Sequence, residues 1–196
     1  HMAPVLALDL ATVSGFAFWR PGMARPRYGC IELPKKLQDH ELHRERASLR
    51  RWMTDWDKLE PLKGGYVVIE AAWVRFGDPD AVDPEDRRRD SLRQVEHLFG
   101  LATEAATTAH MLRAEPRDTN HAKMMKAWTG RGDYKREPGK EASILAACAL
   151  GWDTDDHNEA DALGLLYHFT QLHRFDVPWR DALLFGGKRM KVVGGA

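Results

Sequence analysis

The stretch VLALDLATVSGFAF, from Val5 to Phe18, decides the fold because an acidic residue separates two strand patterns. Val5 to Leu8 is a continuous apolar run, which is typical of a central strand covered on both faces. Asp9 ends this run, and the Ser-Gly pair at 14–15 predicts a turn before a second strand, Phe16 to Trp19. A buried carboxylate is unfavourable unless it is paired or bound to a cation. Asp9 is therefore a candidate functional residue.

A second strand pattern also ends on a carboxylate. The segment YVVIEAAW, Tyr66 to Trp73, is apolar and β-branched up to Glu70. Between the two patterns, a turn at Pro21-Gly22 and a third strand over Arg27 to Leu33 predict an antiparallel meander, and Asp39 to Leu59 has helical spacing. We expect the strands that carry Asp9 and Glu70 to be neighbours in one mixed sheet.

The rest of the chain alternates helical patterns with polar segments. We predict a mobile loop over 75–90, helices over 91–109, 120–128 and 141–150, a short strand over 111–115, and a basic loop over 129–140. The segment DTDDHNEADALGLLYHF then has several N-cap residues followed by an apolar helical stripe. We assign residues 3–175 to one domain and 176–196 to a C-terminal tail that docks or frays.

Composition restricts the function classes only mildly. The 196 residues suit one α/β domain, and 29 Lys plus Arg balance 29 Asp plus Glu. Net neutrality provides no overall attraction to nucleic acid, so a local basic cluster would have to supply it. Cys30 and Cys148 lack metal-ligand spacing, which favours a reduced cytoplasmic setting. His1-Met2 resembles a cloning remnant, and we expect no membrane span.

Three carboxylates share a partly apolar context. Asp9 and Glu70 close strands, and Asp161 lies one turn into a helix with an apolar stripe. Convergence on a hard divalent cation would account for all three, because Mg²⁺ and Mn²⁺ prefer oxygen ligands. Each also has an ordinary structural interpretation: a turn cap for Asp9, a distant arginine partner for Glu70, and a favourable helix-dipole position for Asp161.

The segment HNEAD adds two candidates to the same helix. His157 and Asn158 precede Asp161 by four and three residues, so both share its helix face, whereas Glu159 does not. Either side chain could complete a metal shell or position an attacking water. A simple role for His157 at an exposed helix start is an equal alternative.

The order of these motifs resembles the RuvC-like Holliday-junction resolvases of the RNase H superfamily, particularly phage and prophage members. LDLATVSG is similar to the family's first acidic motif, VVIEAAW to its second and NEADAL to its C-terminal helix motif, and the resemblance covers most of residues 4–173. It implies an RNase H-like α/β fold, a mixed five-stranded sheet flanked by helices. It also implies that Asp9, Glu70 and Asp161 are catalytic ligands of two Mg²⁺ or Mn²⁺ ions.

By the same resemblance, the protein is expected to be a homodimeric endonuclease that cuts four-way DNA junctions in recombination and repair. The family usually has Asp or His three residues before the last aspartate, where this chain has Asn158. The fourth active-site group is therefore either Asn158 or His157, which we also count as a candidate metal ligand.

The family places basic residues between the second and third acidic motifs. Arg113 to Lys140 contains eight Lys or Arg against four Asp or Glu. Lys140 resembles the family's lysine at a helix start, which can hold a phosphate and stabilise charge in the transition state. The other candidate DNA-binding residues are Lys123, Lys126, Arg131, Lys135, Arg136, Trp73 and Phe76. The alternative is a solvated loop with two aromatic anchors.

Two other function classes remain open. LDLATVSG also resembles the first phosphate motif of actin-like ATPases, but the chain is short for the second subdomain that these proteins need. A non-catalytic protein that binds branched DNA is the other alternative, and the asparagine at 158 favours it. ATP turnover and junction cleavage are the measurements that separate these classes.

Overall fold

A mixed five-stranded sheet forms the centre of the protein. The computed structural model describes residues 3–11, 13–34, 42–70, 84–132 and 136–180. The strands are β1 Val5–Asp9, β2 Val13–Trp19, β3 Arg27–Glu32, β4 Tyr66–Glu70 and β5 Glu115–Thr119, in the order β3-β2-β1-β4-β5. The first three form the predicted antiparallel meander, and β4 and β5 continue the sheet parallel to β1. The predicted fold class is confirmed.

The apolar run of β1 is explained by its central position. Val5 and Ala7 point into one hydrophobic core, whereas Leu6 and Leu8 point into the other, and all four are fully buried. Successive side chains of a strand alternate between its faces, so a strand covered on both sides must be apolar at every position.

Among the residues that the structure describes, five helices cover the two faces of the sheet. They are α1 Leu42–Leu59, α2 Pro84–Met111, α3 His121–Thr129, α4 Arg136–Ala149 and α5 His157–Leu172. Residues of α1 and α2 share a core with Leu6 and Leu8, and residues of α3, α4 and α5 share the opposite core with Val5 and Ala7. Helix α5 crosses β1 and β2 directly. In the described part of the chain, no helix is long and apolar enough to cross a membrane.

The core that contains Val5 and Ala7, called the aromatic core below, is rich in aromatic rings and includes residues beyond α5. Phe175, Val177 and Trp179 are buried in it. Trp179 packs edge-on against Trp19 at 5.9 Å and against Trp152 at 5.1 Å between ring centroids. The chain therefore docks on the domain at least through Trp179, and residues 181–196 lie outside the described part.

Several boundaries differ from the sequence prediction. The predicted turn at Ser14 and Gly15 is wrong, because both residues pair within β2, which begins at Val13 rather than at Phe16. Helix α2 begins at Pro84 rather than at residue 91, since proline is tolerated in a first helical turn and charged Arg and Glu are good helix formers. Strand β5 is Glu115–Thr119 rather than 111–115, and it includes Pro116 because it lies at the sheet edge. The second half of the predicted basic loop belongs to α4, which begins at Arg136.

Candidate active site at the carboxyl ends of β1 and β4

Asp9 and Glu70 end two adjacent parallel strands. The register pairs Leu8 with Ile69, so Asp9 and Glu70 occupy the next pair of positions. Ala7 and Val68, two residues earlier on each strand, belong to the core that α5 covers. Because side chains alternate along a strand, Asp9 and Glu70 both project toward α5.

Helix α5 brings Asp161 to the same place. Its N-cap is Asp156, whose carboxylate accepts a hydrogen bond from the backbone N–H of Asn158 at 2.7 Å. Its first turn lies against Gly15, which is paired with Asp9 across the β1–β2 ladder. A Cβ at Gly15 would overlap the Asn158 carbonyl, so the glycine permits this close approach. The glycine of LDLATVSG therefore positions the acidic helix beside the acidic strand ends.

The three carboxylates act on one another electrostatically. Burial raises the pKa of Asp9 well above its usual value, and the charges of Asp161, Glu70 and Asp156 raise it further. Mutual repulsion of this kind favours either protonation or a bound cation. The sequence prediction did not include Asp156 in this group.

Asp161 is held by a buried serine. Burial raises its pKa to about 6, a hydrogen bond from Ser143 opposes this shift, the charge of Glu70 adds to it, and His121 and His157 oppose it. Ser143 Oγ lies 2.5 Å from Asp161 Oδ1. Sequence reasoning missed Ser143, and its only signal is that it lies three residues after Lys140 on one face of α4.

His121 is a second residue that the sequence interpretation missed. It begins α3 directly after β5, and its Nδ1 lies 3.0 Å from Glu70 Oε1. The structural interpretation of Glu70 expected an ion pair with a distant arginine, whereas the structure shows a contact with this histidine. A correct boundary for β5 would have pointed to His121, because this residue follows the strand that lies beside β4. The predicted strand over 111–115 ended too early to show this.

The turn after β1 is closed without a cap from Asp9. Ser14 Oγ donates to the Ala11 carbonyl at 2.7 Å and accepts from the Ala11 N–H at 3.1 Å. Ser14 is fully buried. Among the described residues of this turn, Ser14 therefore makes the hydrogen bonds that the turn-cap interpretation assigned to Asp9.

The remaining candidate catalytic residues lie on α4 and α5, the helices that carry Ser143 and Asp161. His157 and Asn158 form the first turn of α5, four and three residues before Asp161. Lys140 lies in α4 one turn before Ser143, so these two share the helix face directed toward Asp161. Whether His157, Asn158 or Lys140 takes part in chemistry stays a prediction.

The candidate DNA-binding residues are only partly described. Lys123, Lys126 and Arg131 line one surface groove of about 450 Å³, together with Ala122, Gly130 and Gly132. This groove follows α3, whose first residue contacts Glu70. Arg136 begins α4. Trp73, Phe76 and Lys135 lie outside the described residues.

The donor set suits a divalent cation, although no finished metal centre is formed. Among the described residues, no three His, Cys, Asp or Glu side chains already have an arrangement that could hold a metal ion. The three carboxylates nevertheless supply the oxygen donors that Mg²⁺ and Mn²⁺ prefer. Burial, and after it the neighbouring carboxylates, raise the pKa values of Asp9 and Asp161, and a bound cation would oppose both effects. The residues therefore fit a divalent metal.

Comparison with known proteins identifies the fold. No protein-family model and no curated protein matches the sequence. RuvC of T. thermophilus in complex with a Holliday junction substrate matches with a TM-score of 0.59 and 14% identity over 89% of this chain and 96% of that chain. A further Thermus thermophilus RuvC structure matches with a TM-score of 0.54 and 12% identity over 87% of this chain and 96% of that one.

A mitochondrial resolvase of known structure has a similar fold. The crystal structure of the yeast mitochondrial Holliday junction resolvase matches with a TM-score of 0.52 and 11% identity, over 93% of this chain and 83% of that chain. The protein therefore has the RNase H-like fold of the RuvC-like resolvases, as the sequence motifs predicted. Its predicted relation to phage and prophage members stays a prediction.

Proposed function

We propose that the protein is a metal-dependent, structure-specific endonuclease that hydrolyses phosphodiester bonds in branched DNA such as four-way junctions. The observation that carries this proposal is the convergence of Asp9, Glu70 and Asp161 at one end of a sheet with the RuvC fold. A four-way junction is also the substrate bound in one of the structural neighbours, RuvC in complex with a Holliday junction. We further propose that a homodimer acts, with two sites cutting two strands symmetrically.

The three carboxylates would hold two Mg²⁺ or Mn²⁺ ions. When bound, such ions supply a water of lowered pKa and stabilise the attacking and leaving oxygens of the phosphodiester. Ser143 and His121 contact Asp161 and Glu70. These contacts would limit the movement of the two carboxylates when metal and DNA bind.

The surrounding residues would bind and orient the DNA. Lys140 would bind a phosphate oxygen near the reacting group and offset its growing negative charge. Lys123, Lys126 and Arg131 would bind the backbone further along the strand in the groove that they line. His157 or Asn158 would orient the attacking water from the first turn of α5.

Cleavage of a synthetic four-way junction tests this function. We expect Mg²⁺-dependent cleavage that EDTA stops. Asp161→Asn should abolish cleavage and leave junction binding largely unchanged, since it preserves shape while it removes the ligand charge. Asp155→Asn is the matched control, because Asp155 is an exposed residue shortly before the same helix. It should cleave like the wild type.

The same assay separates the alternatives. Tight junction binding without cleavage, with either Mg²⁺ or Mn²⁺, would show a non-catalytic DNA-binding protein instead. Full activity of Asp161→Asn would contradict the proposed site. Light scattering of the free protein, together with mapping of the cut positions on both strands, tests the homodimer.

A further inference from the structure

A hydrogen-bonded chain connects the aromatic core to the candidate site. The indole Nε1–H of Trp128 donates to Ser143 Oγ at 2.9 Å, and Ser143 Oγ in turn donates to Asp161 Oδ1. Trp128 and Ser143 are both fully buried. The three residues lie on α3, α4 and α5, so the chain joins all three helices on this face of the sheet.

The direction of both hydrogen bonds follows from the donor inventory. An indole N–H only donates, so Ser143 Oγ must accept from Trp128. The single hydroxyl hydrogen of Ser143 is then directed at Asp161, whose Oδ1 must accept. Ser143 engages Oδ1 and does not engage Oδ2, so it fixes the rotation of the carboxylate and leaves the second oxygen to other partners.

Trp128 is immobilised by its neighbours. Its ring stacks on Trp152 at 5.9 Å with an interplanar angle of 23°, and it packs against Tyr167 at 5.4 Å. Gly164 of α5 makes room for it, because a Cβ at Gly164 would lie 2.7 Å from Trp128 Cδ1. The indole donor therefore has one position, which is set by the core and not by solvent.

We propose that Ser143 is a positioning residue for the metal site and that Trp128 fixes the direction of its hydroxyl. This inference rests on the proposed function, since it assigns Asp161 as a ligand. Ser143 touches neither metal nor DNA in this role. It holds the Asp161 carboxylate in the orientation that the site uses, and Trp128 keeps the hydroxyl from turning away.

Metal affinity measured without DNA tests the proposal. We expect Ser143→Ala to weaken Mn²⁺ binding by about 10- to 100-fold in calorimetry, as is found for residues that orient metal ligands. Trp128→Phe keeps an aromatic ring at this position but removes the indole donor and part of the ring volume, and since it leaves the Ser143 hydroxyl in place it should weaken Mn²⁺ binding less. The double variant should bind like Ser143→Ala, because Trp128 acts through the serine.

Thr170 offers a matched control in the same core. Its hydroxyl is also fully buried and also lies within hydrogen-bonding distance of an indole, that of Trp179, at 3.3 Å. It lies nine residues after Asp161 along α5. Thr170→Val removes a buried indole–hydroxyl contact in the same way, and it should leave Mn²⁺ affinity unchanged.

The outcomes separate this proposal from the proposed function. If the wild type binds Mn²⁺ and cleaves junctions while Ser143→Ala binds Mn²⁺ equally well, the positioning role is overturned and the function stands. If Thr170→Val weakens Mn²⁺ binding as much as Ser143→Ala does, general destabilisation explains the effect and the positioning role is again overturned. If the wild type binds no Mn²⁺, both proposals fail together.

Discussion

Asp161 is a carboxyl group whose surroundings oppose its ionisation. Burial raises its pKa from 3.8 to about 6, so the metal-free folded protein holds this proton more tightly than the unfolded chain does. A raised acid pKa in the folded state lowers the free energy of unfolding as pH rises from 3.8 to about 6. A cation that binds the ionised carboxylate would reverse this loss of stability.

The first prediction concerns the pH dependence of metal binding. A proton on Asp161 competes with the cation, so Mn²⁺ affinity should increase as pH rises through about 6. The increase in melting temperature caused by Mn²⁺ should therefore be larger above that pH than below it. Asp161→Asn removes the titrating group and should flatten the difference. An equal Mn²⁺ shift on both sides of this pH would contradict the assignment of Asp161 as a ligand.

The second prediction compares His157 and Asn158. Both lie in the first turn of α5, and the histidine charge lowers the pKa of Asp161, which shows that the imidazole is close. An imidazole can ligate a cation or carry a proton near neutral pH, whereas an amide is a weak ligand and no base. His157→Ala should cost more activity than Asn158→Ala, by about 100-fold if it is a general base.

Single-turnover cleavage at saturating Mg²⁺ decides between these two residues. Glu159→Gln is a useful control, since its carboxylate accepts a hydrogen bond from Thr154 at 2.6 Å and serves the helix start. If Asn158→Ala is the inactive variant, the three-residue spacing of the resolvase family holds in this chain as well.

At the scale of elements, the contact between β2 and α5 controls the site. Gly15 pairs with Asp9 in the sheet and leaves room for the Asn158 carbonyl. Any side chain at this position would push the helix away from the strand. The distance from Asp161 to Asp9 would then increase, so this one glycine couples packing to the geometry of the carboxylates.

The third prediction follows from that contact. Gly15→Ala should lower the free energy of unfolding by about 1–3 kcal/mol or more. The added Cβ would overlap backbone atoms of α5, which cannot move aside as a flexible side chain can. The substitution should also weaken Mn²⁺ binding. Gly29→Ala is the matched strand control, since the atoms nearest to a Cβ there belong to the side-chain ring of Phe16, the first at 2.8 Å, rather than to backbone. Chemical denaturation and calorimetry should show a smaller change for Gly29→Ala, and equal effects would contradict this role of Gly15.

At the scale of the whole molecule, the two faces of the sheet have different tasks. The face covered by α1 and α2 has its own core around Leu49, Met53 and Leu101. The face covered by α3, α4 and α5 has the aromatic core, the carboxylates and the basic groove. Net charge is zero over the chain, so the proposed attraction to DNA would depend on this local distribution.

The fourth prediction concerns the basic groove. Replacing Lys123, Lys126 and Arg131 with glutamine should weaken junction binding and reduce the slope of log affinity against log salt by about 0.9 for each phosphate that is no longer neutralised. The control replaces Arg51, Lys58 and Lys63, which are exposed cations in and just after α1. It makes the same change in charge near the opposite face. Equal salt slopes for the two triple variants would exclude the groove as the DNA-binding surface.

The sequence determined the sheet centre and the three carboxylates, because both depend on local patterns. A continuous apolar run predicts a strand buried on both faces, and β1 and β4 confirm it. Asp9 and Glu70 end such runs, and Asp161 follows from helical spacing along α5. The boundaries of β5 and α4 were wrong because Pro116 is tolerated at an edge and because charged residues form helices as well as loops.

Only the tertiary structure decided which side chains accompany the carboxylates. His121 reaches Glu70 because α2 carries the chain across one face of the sheet and returns it as β5 beside β4. Ser143 reaches Asp161 because α4 packs against α5, and Trp128 reaches Ser143 from α3. These pairs lie 15 to 51 residues apart in sequence. No local periodicity relates residues so far apart, since only the packing of complete elements brings them into contact.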